Sequence, residues 1–367
     1  MTARTGTPAP RRGDRLVGTW LLIVCAMIFG MVVGGGHART IGAGFSIQVW
    51  QPVTGFIPPL TQAAWDHLFG LYKQTSQYSV LHPQMTLAQF KSLVWPMFID
   101  RDWGRLMALV FLIPLGVFWW RGRISNRLGL WLLALFGAGA GEATMGWYMV
   151  TTSRYPGTLH PPPLWLGPHF LLAMLILAAM LWTALSIRSP DPEPLAEGGH
   201  LRPWLTASIA LLLLTMTSGA LVAGSGALTV YNTFPLMDGH ALPPDALKFS
   251  PTWLNFVANK ATVQFDHRVL ATITALVVLI AAIRGLRAAL GPKTRDAFLL
   301  LAGLVSLQYL LGMSTLVSGM ADLGFVHELN AVLLLACAIL CRHRLRGARP
   351  ARHPAQADVR RHMEPAE

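Results

Sequence analysis

The sequence predicts an all-α polytopic membrane protein whose eight transmembrane helices form two pseudo-symmetric four-helix bundles. Three observations lead there. Of the 367 residues, 53% are hydrophobic and only 13% charged, too apolar a balance for a soluble domain of this size. Eight apolar runs are long enough, or nearly so, to cross a bilayer, which takes roughly 20 helical residues. The polar marks of the first four runs also recur, in order, in the last four.

The runs cover residues 16–35, 104–120, 128–150, 164–187, 205–223, 269–283, 297–317 and 324–341. The sixth is short and needs its polar flank to span. Orientation follows from the distribution of Lys and Arg. With the N-terminus inside, 20 of the 29 fall on one face: four in the N-terminal tail, three between 121 and 127, two between 188 and 202, four between 284 and 295, and seven after 341. Both termini are expected in the cytoplasm. The formal charge of +12 is then a consequence of topology, and no nucleic-acid partner is indicated. The first run is too long for a signal peptide and lacks a small-residue cleavage pattern. Cys25, Cys337 and Cys341 all fall within runs, so no external disulfide is expected.

The halves divide at a Pro- and acid-rich segment, giving an N-terminal bundle (1–188), a cytoplasmic linker (189–203), a C-terminal bundle (204–341) and a basic cytoplasmic tail (342–367). The second run is entered by Phe98-Ile-Asp-Arg101 and the sixth by Phe265-Asp-His-Arg268. Glu142 precedes Gly146 by four residues, as Gln308 precedes Gly312. Gly167-Pro-His169 opens the fourth run and Gly324-Phe-Val-His327 the eighth. Each copy contains an even number of spans, so both have the same orientation, and the axis relating them lies along the membrane normal. The long external segment 36–103 is expected to fold short helices over the outer face, covering Trp50, Phe69 and Trp95.

Of the twelve histidines, His169, His267 and His327 stand at outer ends of apolar helices, where an imidazole must be hydrogen-bonded, metal-bound or wet. His267 and His327 occupy paired positions of one half. Facing imidazoles from neighbouring helices can supply both axial ligands of a haem iron, and an apolar bundle accepts the porphyrin faces. Zinc fits less well, because no further Cys, His or carboxylate is evidently clustered with them. Beside His267, Asp266 could fix the imidazole tautomer and Arg268 could pair with a haem propionate. A helix-entry motif is the plainer reading of both. Glu328 could support His327 or meet lipid headgroups. In the N-terminal half the pattern breaks: His169 remains, but Asp100 stands where the repeat calls for His. Glu142, the one acid deep in a span, is a candidate for proton handling.

Longer strings carry a resemblance: Gly34-Gly35 with Arg39, Pro52-Val-Thr-Gly55, Tyr72-Lys-Gln-Thr75, Gly146-Trp-Tyr-Met-Val150, Tyr231-Asn-Thr-Phe-Pro-Leu-Met-Asp-Gly239 and Ala261-Thr-Val-Gln-Phe-Asp-His-Arg268. From residue 16 to 341 the chain resembles the haem A synthase family, in its alphaproteobacterial and mitochondrial form. The resemblance implies a bacterial inner-membrane enzyme of cytochrome oxidase assembly. Such an enzyme converts haem O, supplied by a haem O synthase, to haem A by two successive hydroxylations of a porphyrin methyl group. It implies a haem b held by His267 and His327 in the C-terminal half, and an electron acceptor it does not name. It places the substrate haem in the N-terminal half, where the family's histidine pair maps onto Asp100 and His169, with Arg101 alongside. The family's catalytic glutamate, three residues before the first histidine, maps onto Met97, and its third-span Gln onto Glu142.

The departures therefore gather in the substrate half. Three readings follow: a synthase in which Asp100 or Glu142 compensates, a non-catalytic b-type haem protein of the same family, and a transporter suggested by the tandem repeat. Transporter sites lie near the midplane on broken helices, whereas these polar residues cluster at outer helix ends.

Overall fold

The computed structural model describes residues 12–190 and 198–348. The rest of the N-terminal tail, the middle of the linker and the tail beyond 348 lie outside the described residues, and with them Arg4, Arg11, His353, His362 and four of the seven tail arginines. Among the described residues, eight helices are long and apolar enough to cross a membrane. In the first half they are α1 (Arg12–Thr40), α4 (Leu87–Trp120), α5 (Asn126–Thr151) and α6 (Pro163–Arg188). In the second they are α7 (Arg202–Ser225), α9 (Lys260–Arg287), α10 (Pro292–Ser318) and α11 (Ala321–Arg344). Short helices α2 (Gln62–Lys73), α3 (Ser76–Leu81) and α8 (Asn255–Ala258) lie in the outer connections.

Local chemistry sets the boundaries. Thr61, Thr75, Thr86, Ser125 and Asn259 each accept a backbone N–H as N-caps of α2, α3, α4, α5 and α9. At α4 the cap is reciprocal: Thr86 accepts from the Gln89 N–H while Gln89 accepts from the Thr86 N–H. That capping box starts the helix at residue 87, well before the apolar run at 104, so the last part of the expected external segment 36–103 is the N-terminal extension of α4. The sixth span likewise starts at Lys260, taking in the polar flank it needs. At the other surface α7 begins at Arg202, inside the expected linker, and α11 runs to Arg344, past the expected tail boundary.

Within each half the helices pack in the same order. α1 contacts α4 and α6, and α5 contacts α6; α7 contacts α9 and α11, and α10 contacts α11. Between the halves α1 meets α11, α6 meets α7, and α6 meets α11. The first two pairings are one pairing with the halves exchanged, which fits an axis along the membrane normal. A single apolar core runs through all eight spans, from Val17 and Trp20 to Leu335 and Cys341, and the three cysteines are free and buried in it. Outward-facing residues such as Leu109, Ile113, Leu300 and Leu310 are exposed, as a helix wetted by lipid requires.

The outer cap has its own core of Phe45, Ile47, Trp65, Phe69, Tyr72, Phe90 and Val94. Phe69 is covered as expected. Trp50 and Trp95 are not: they stay 43% and 41% exposed, and the buried indole is Trp65. Trp50 instead leans on Trp147, with ring centroids 5.1 Å apart. Burial holds the Tyr72 hydroxyl in its neutral form to higher pH than usual, and that hydroxyl donates to Gln77 Oε1 at 3.1 Å.

Candidate functional site

In the C-terminal half, α9 carries His267 and α11 carries His327 to the same level. Their ring centroids are 6.5 Å apart and their planes nearly perpendicular, at 86°. Glycines on the neighbouring helices make room. A methyl group on Gly219 of α7 would come within 3.0 Å of His267 Cε1, and one on Gly312 of α10 within 2.9 Å of His327 Cε1.

Each ring is anchored through Nδ1. The Ser218 hydroxyl donates to the Thr215 carbonyl at 2.8 Å, which leaves its oxygen to accept the His267 Nδ1–H, also at 2.8 Å. The His327 Nδ1–H reaches the Gln308 carbonyl at 3.1 Å. Both partners call for the tautomer that leaves Nε2 with a lone pair. The Gln308 amide nitrogen lies 3.2 Å from His327 Nε2, while its Oε1 accepts from Asn330 at 2.7 Å. Two imidazoles held at Nδ1, each keeping an unprotonated Nε2, are what a metal-ligating pair requires. The Gln308 amide would have to turn away from His327 Nε2 for that nitrogen to bind a metal. A metal–imidazole bond of about 2 Å on each side, plus about 1 Å from nitrogen to ring centre, gives centroids about 6 Å apart. The donor set therefore fits a haem iron.

The flanking residues act differently from expectation. Among the described residues Asp266 makes no hydrogen bond; the tautomer-fixing partner of His267 is Ser218. Arg268 donates to the carbonyls of Tyr231 and Thr233, both at 2.7 Å, so it clamps the outer loop. Gln264, one turn earlier, donates to Leu228 and Tyr231 of the same loop. Glu328 pairs with Arg39 of α1, tying the two halves together.

The N-terminal half repeats this framework with other chemistry inside it. Arg101 donates to the carbonyls of Ile47 and Val49 at 2.9 and 3.2 Å, the same loop clamp. Arg105 adds Gln51 and Pro52. A side chain on Gly34 of α1 would run into the Asp100 carboxylate, so Asp100 sits against α1 as His267 sits against α7. Glu142 Oε1 lies 2.9 Å from His169 Nδ1, where Gln308 meets His327. A methyl group on Gly146 would approach His169 Cε1 to 3.3 Å. Asp100 Oδ1, Glu142 Oε2 and His169 Nδ1 are all buried without an aligned hydrogen bond. Met97 packs against the outer cap.

Ser218, Gly219 and Asn330 escaped the sequence reading. The available signal was a Ser-Gly pair inside an otherwise apolar span, and an Asn three residues after the histidine on α11.

With this geometry in view, the comparisons with known proteins fall into place. The profile of the COX15-CtaA family, described as cytochrome oxidase assembly protein, matches residues 18–339. The chain belongs to the haem A synthase family. It is 71% identical over 340 residues to "Heme A synthase 1" of Acidiphilium cryptum, covering 93% of this chain and 95% of that one. "Heme A synthase 2" of the same organism is 44% identical over 354 residues, 95% of each chain. "Heme A synthase" of Granulibacter bethesdensis is 40% identical over 341 residues, 92% of this chain and 90% of that one. The family match spans all eight membrane helices, both halves of the repeat included.

Proposed function

We propose that this chain is a haem A synthase of the bacterial inner membrane with both termini in the cytoplasm, the orientation supported by its Lys and Arg distribution. The reaction converts haem O, delivered by a haem O synthase, to haem A. Each hydroxylation replaces a C–H bond of the porphyrin methyl group by C–O, with water as the oxygen source. Each sends two electrons and two protons away, the electrons to an acceptor outside this chain. The second yields a gem-diol, which loses water to leave the formyl group.

Work is divided between the halves, residues 1–188 receiving the substrate and residues 204–341 holding the cofactor. His267 and His327 would hold haem b, which supplies a one-electron redox centre when bound. The observation that carries this reading is the pair of rings at 6.5 Å, each anchored at Nδ1 so that Nε2 keeps its lone pair. On the substrate side His169 is the principal iron ligand. Asp100 makes at most a weak or water-mediated contact, because a carboxylate reaches less far than an imidazole. Met97 cannot take up a proton or oppose a developing positive charge. Glu142 is the acid that stands nearest the substrate ligand, and the proton work falls to it.

The test is pigment extraction from a strain co-expressing a haem O synthase with this chain. Haem A in the extract supports the synthase. Haem O alone, with a normal b-type spectrum, would favour a non-catalytic haem protein of oxidase assembly, the reading to which Met97 and Asp100 point.

A further inference from the structure

The two fourth-helix histidines are alike in position and differ in what stands behind them. Behind His327 is neutral Gln308, whose side-chain oxygen is taken by Asn330 and whose backbone carbonyl takes the Nδ1–H. Behind His169 is the carboxylate of Glu142, 2.9 Å from Nδ1. Counting three residues on from each histidine, the place of Asn330 is taken by Leu172, which offers no donor. Glu142 is therefore held by no counterpart of Asn330, and its second oxygen has no partner. At that distance His169 Nδ1 and Oε1 are within hydrogen-bond reach, although the N–H does not point along the line between them. Opposite, the second-helix ligand of the C-terminal half is replaced by the shorter Asp100, set against Gly34.

We propose that Glu142, besides the proton work open to its second oxygen, is a positioning residue that gives the N-terminal half a single, carboxylate-backed imidazole ligand for haem iron, in contrast to the two-imidazole site of the C-terminal half. This rests on the reading of the N-terminal half as the substrate-haem site and specifies how that site ligates. A carboxylate accepting Nδ1–H fixes the tautomer with Nε2 toward the metal and makes the ring a stronger electron donor. Axial-ligand identity and the hydrogen bond behind it are the levers a protein has on haem iron. One strong imidazole with no second ligand leaves the iron high-spin and one face open beneath Asp100. Two imidazoles make it low-spin and closed. The half that receives the substrate haem is thus the one that offers a single imidazole ligand.

The experiment adds ferric protoporphyrin IX chloride to the purified full-length chain carrying its haem b, and follows optical, EPR and, after reduction, resonance Raman spectra. We expect a high-spin component on titration, superimposed on an unchanged low-spin one, and an iron–imidazole stretching line in the reduced sample. His169→Ala should remove both new signals. Glu142→Gln should keep a bound haem but move the stretching line to lower frequency and weaken binding about tenfold. Glu142→Asp should restore part of the shift. Added haem that binds low-spin, or a stretching line indifferent to Glu142→Gln, would overturn the proposal while leaving the N-terminal half a haem site. No His169-dependent binding at all would overturn that underlying reading, and the proposal with it.

Discussion

The two halves of this molecule share a framework and diverge at its centre. In each, an Arg on the second helix, Arg101 or Arg268, clamps two carbonyls of its own outer loop. In each, a glycine of the first helix clears the second-helix position, and a glycine of the third helix clears the fourth-helix histidine. The C-terminal half fills that framework with a closed hydrogen-bond set around two imidazoles. In the N-terminal half three polar atoms at the same level lack aligned partners. Buried polar groups are nearly always satisfied. A site whose imidazoles are already oriented by their Nδ1 bonds suits a resident cofactor, and a site with unsatisfied groups suits a molecule that comes and goes. The scaffold has been kept on both sides, and the chemistry has been varied on one.

The sharpest way to break this comparison is to make the halves alike. Restoring the family pattern with Met97→Glu and Asp100→His together should raise haem A output about a hundredfold, the scale of general acid–base assistance. Glu142→Gln in the natural chain should abolish what activity it has. Extracted pigments, separated and quantified, read both. Natural activity at the level of an ordinary family member, indifferent to Glu142→Gln, would show that neither lost group was needed.

A smaller effect is expected from removing one anchor of the complete half. Ser218→Ala takes away the acceptor of the His267 Nδ1–H but leaves the ligand. Haem b affinity should fall about tenfold, measured by haem retention in detergent at increasing dilution, with both axial bonds still visible as a low-spin spectrum.

The loop clamps should be unequal. Arg268→Ala removes two short charge-assisted hydrogen bonds and should cost about 2 kcal/mol after allowance for partial exposure. Arg101→Ala should cost less, because Arg105 still holds Gln51 and Pro52 of the same loop. Thermal unfolding of the two variants, followed by the haem spectrum, ranks them, and equal losses would deny the shared load.

The smallest effect concerns pH at the outer loop of the C-terminal half. Hydrogen bonds from Lys248 and then Tyr231 hold the Asp245 carboxyl below its usual range, while burial and the bond to Asp245 hold the Tyr231 hydroxyl above its own. A depressed carboxylate contributes stability that is present above its unfolded pKa and lost as pH falls through the folded one, here below about pH 4. A raised phenol contributes stability that is present below about pH 10 and lost as pH rises through its folded value. Unfolding temperature should be flat between these limits. Tyr231→Phe should lower the plateau slightly and remove the alkaline edge.

The fold was legible because its cause is one-dimensional. Apolar runs of spanning length appear in any window of sequence, and the alternation of Lys and Arg orders them. What the runs concealed were the extensions: α4 begins at Leu87 because Thr86 and Gln89 cap it reciprocally, a contact of polar residues that hydropathy does not register. His267 and His327 were legible as a pair because the repeat put each at the outer end of its helix. Their anchors were not. Ser218 bonds across 49 residues of chain, and nothing local to His267 announces it. The neighbours in sequence, Asp266 and Glu328, misled for the same reason: residues adjacent on a helix point in different directions. The loop clamp of Arg268 was not legible either, since the carbonyls it holds are brought to it by tertiary folding.

The division between a completed cofactor site and an altered substrate site is tested most directly by reduced-minus-oxidised difference spectra of three purified single variants. Replacing His267 or His327 with Ala should abolish the b-type signal, and His169→Ala should leave it at nearly the wild-type amount per chain. Loss of that signal from the His169 variant to the same extent as from the other two would contradict the account, for it would place the resident haem in the wrong half of the molecule.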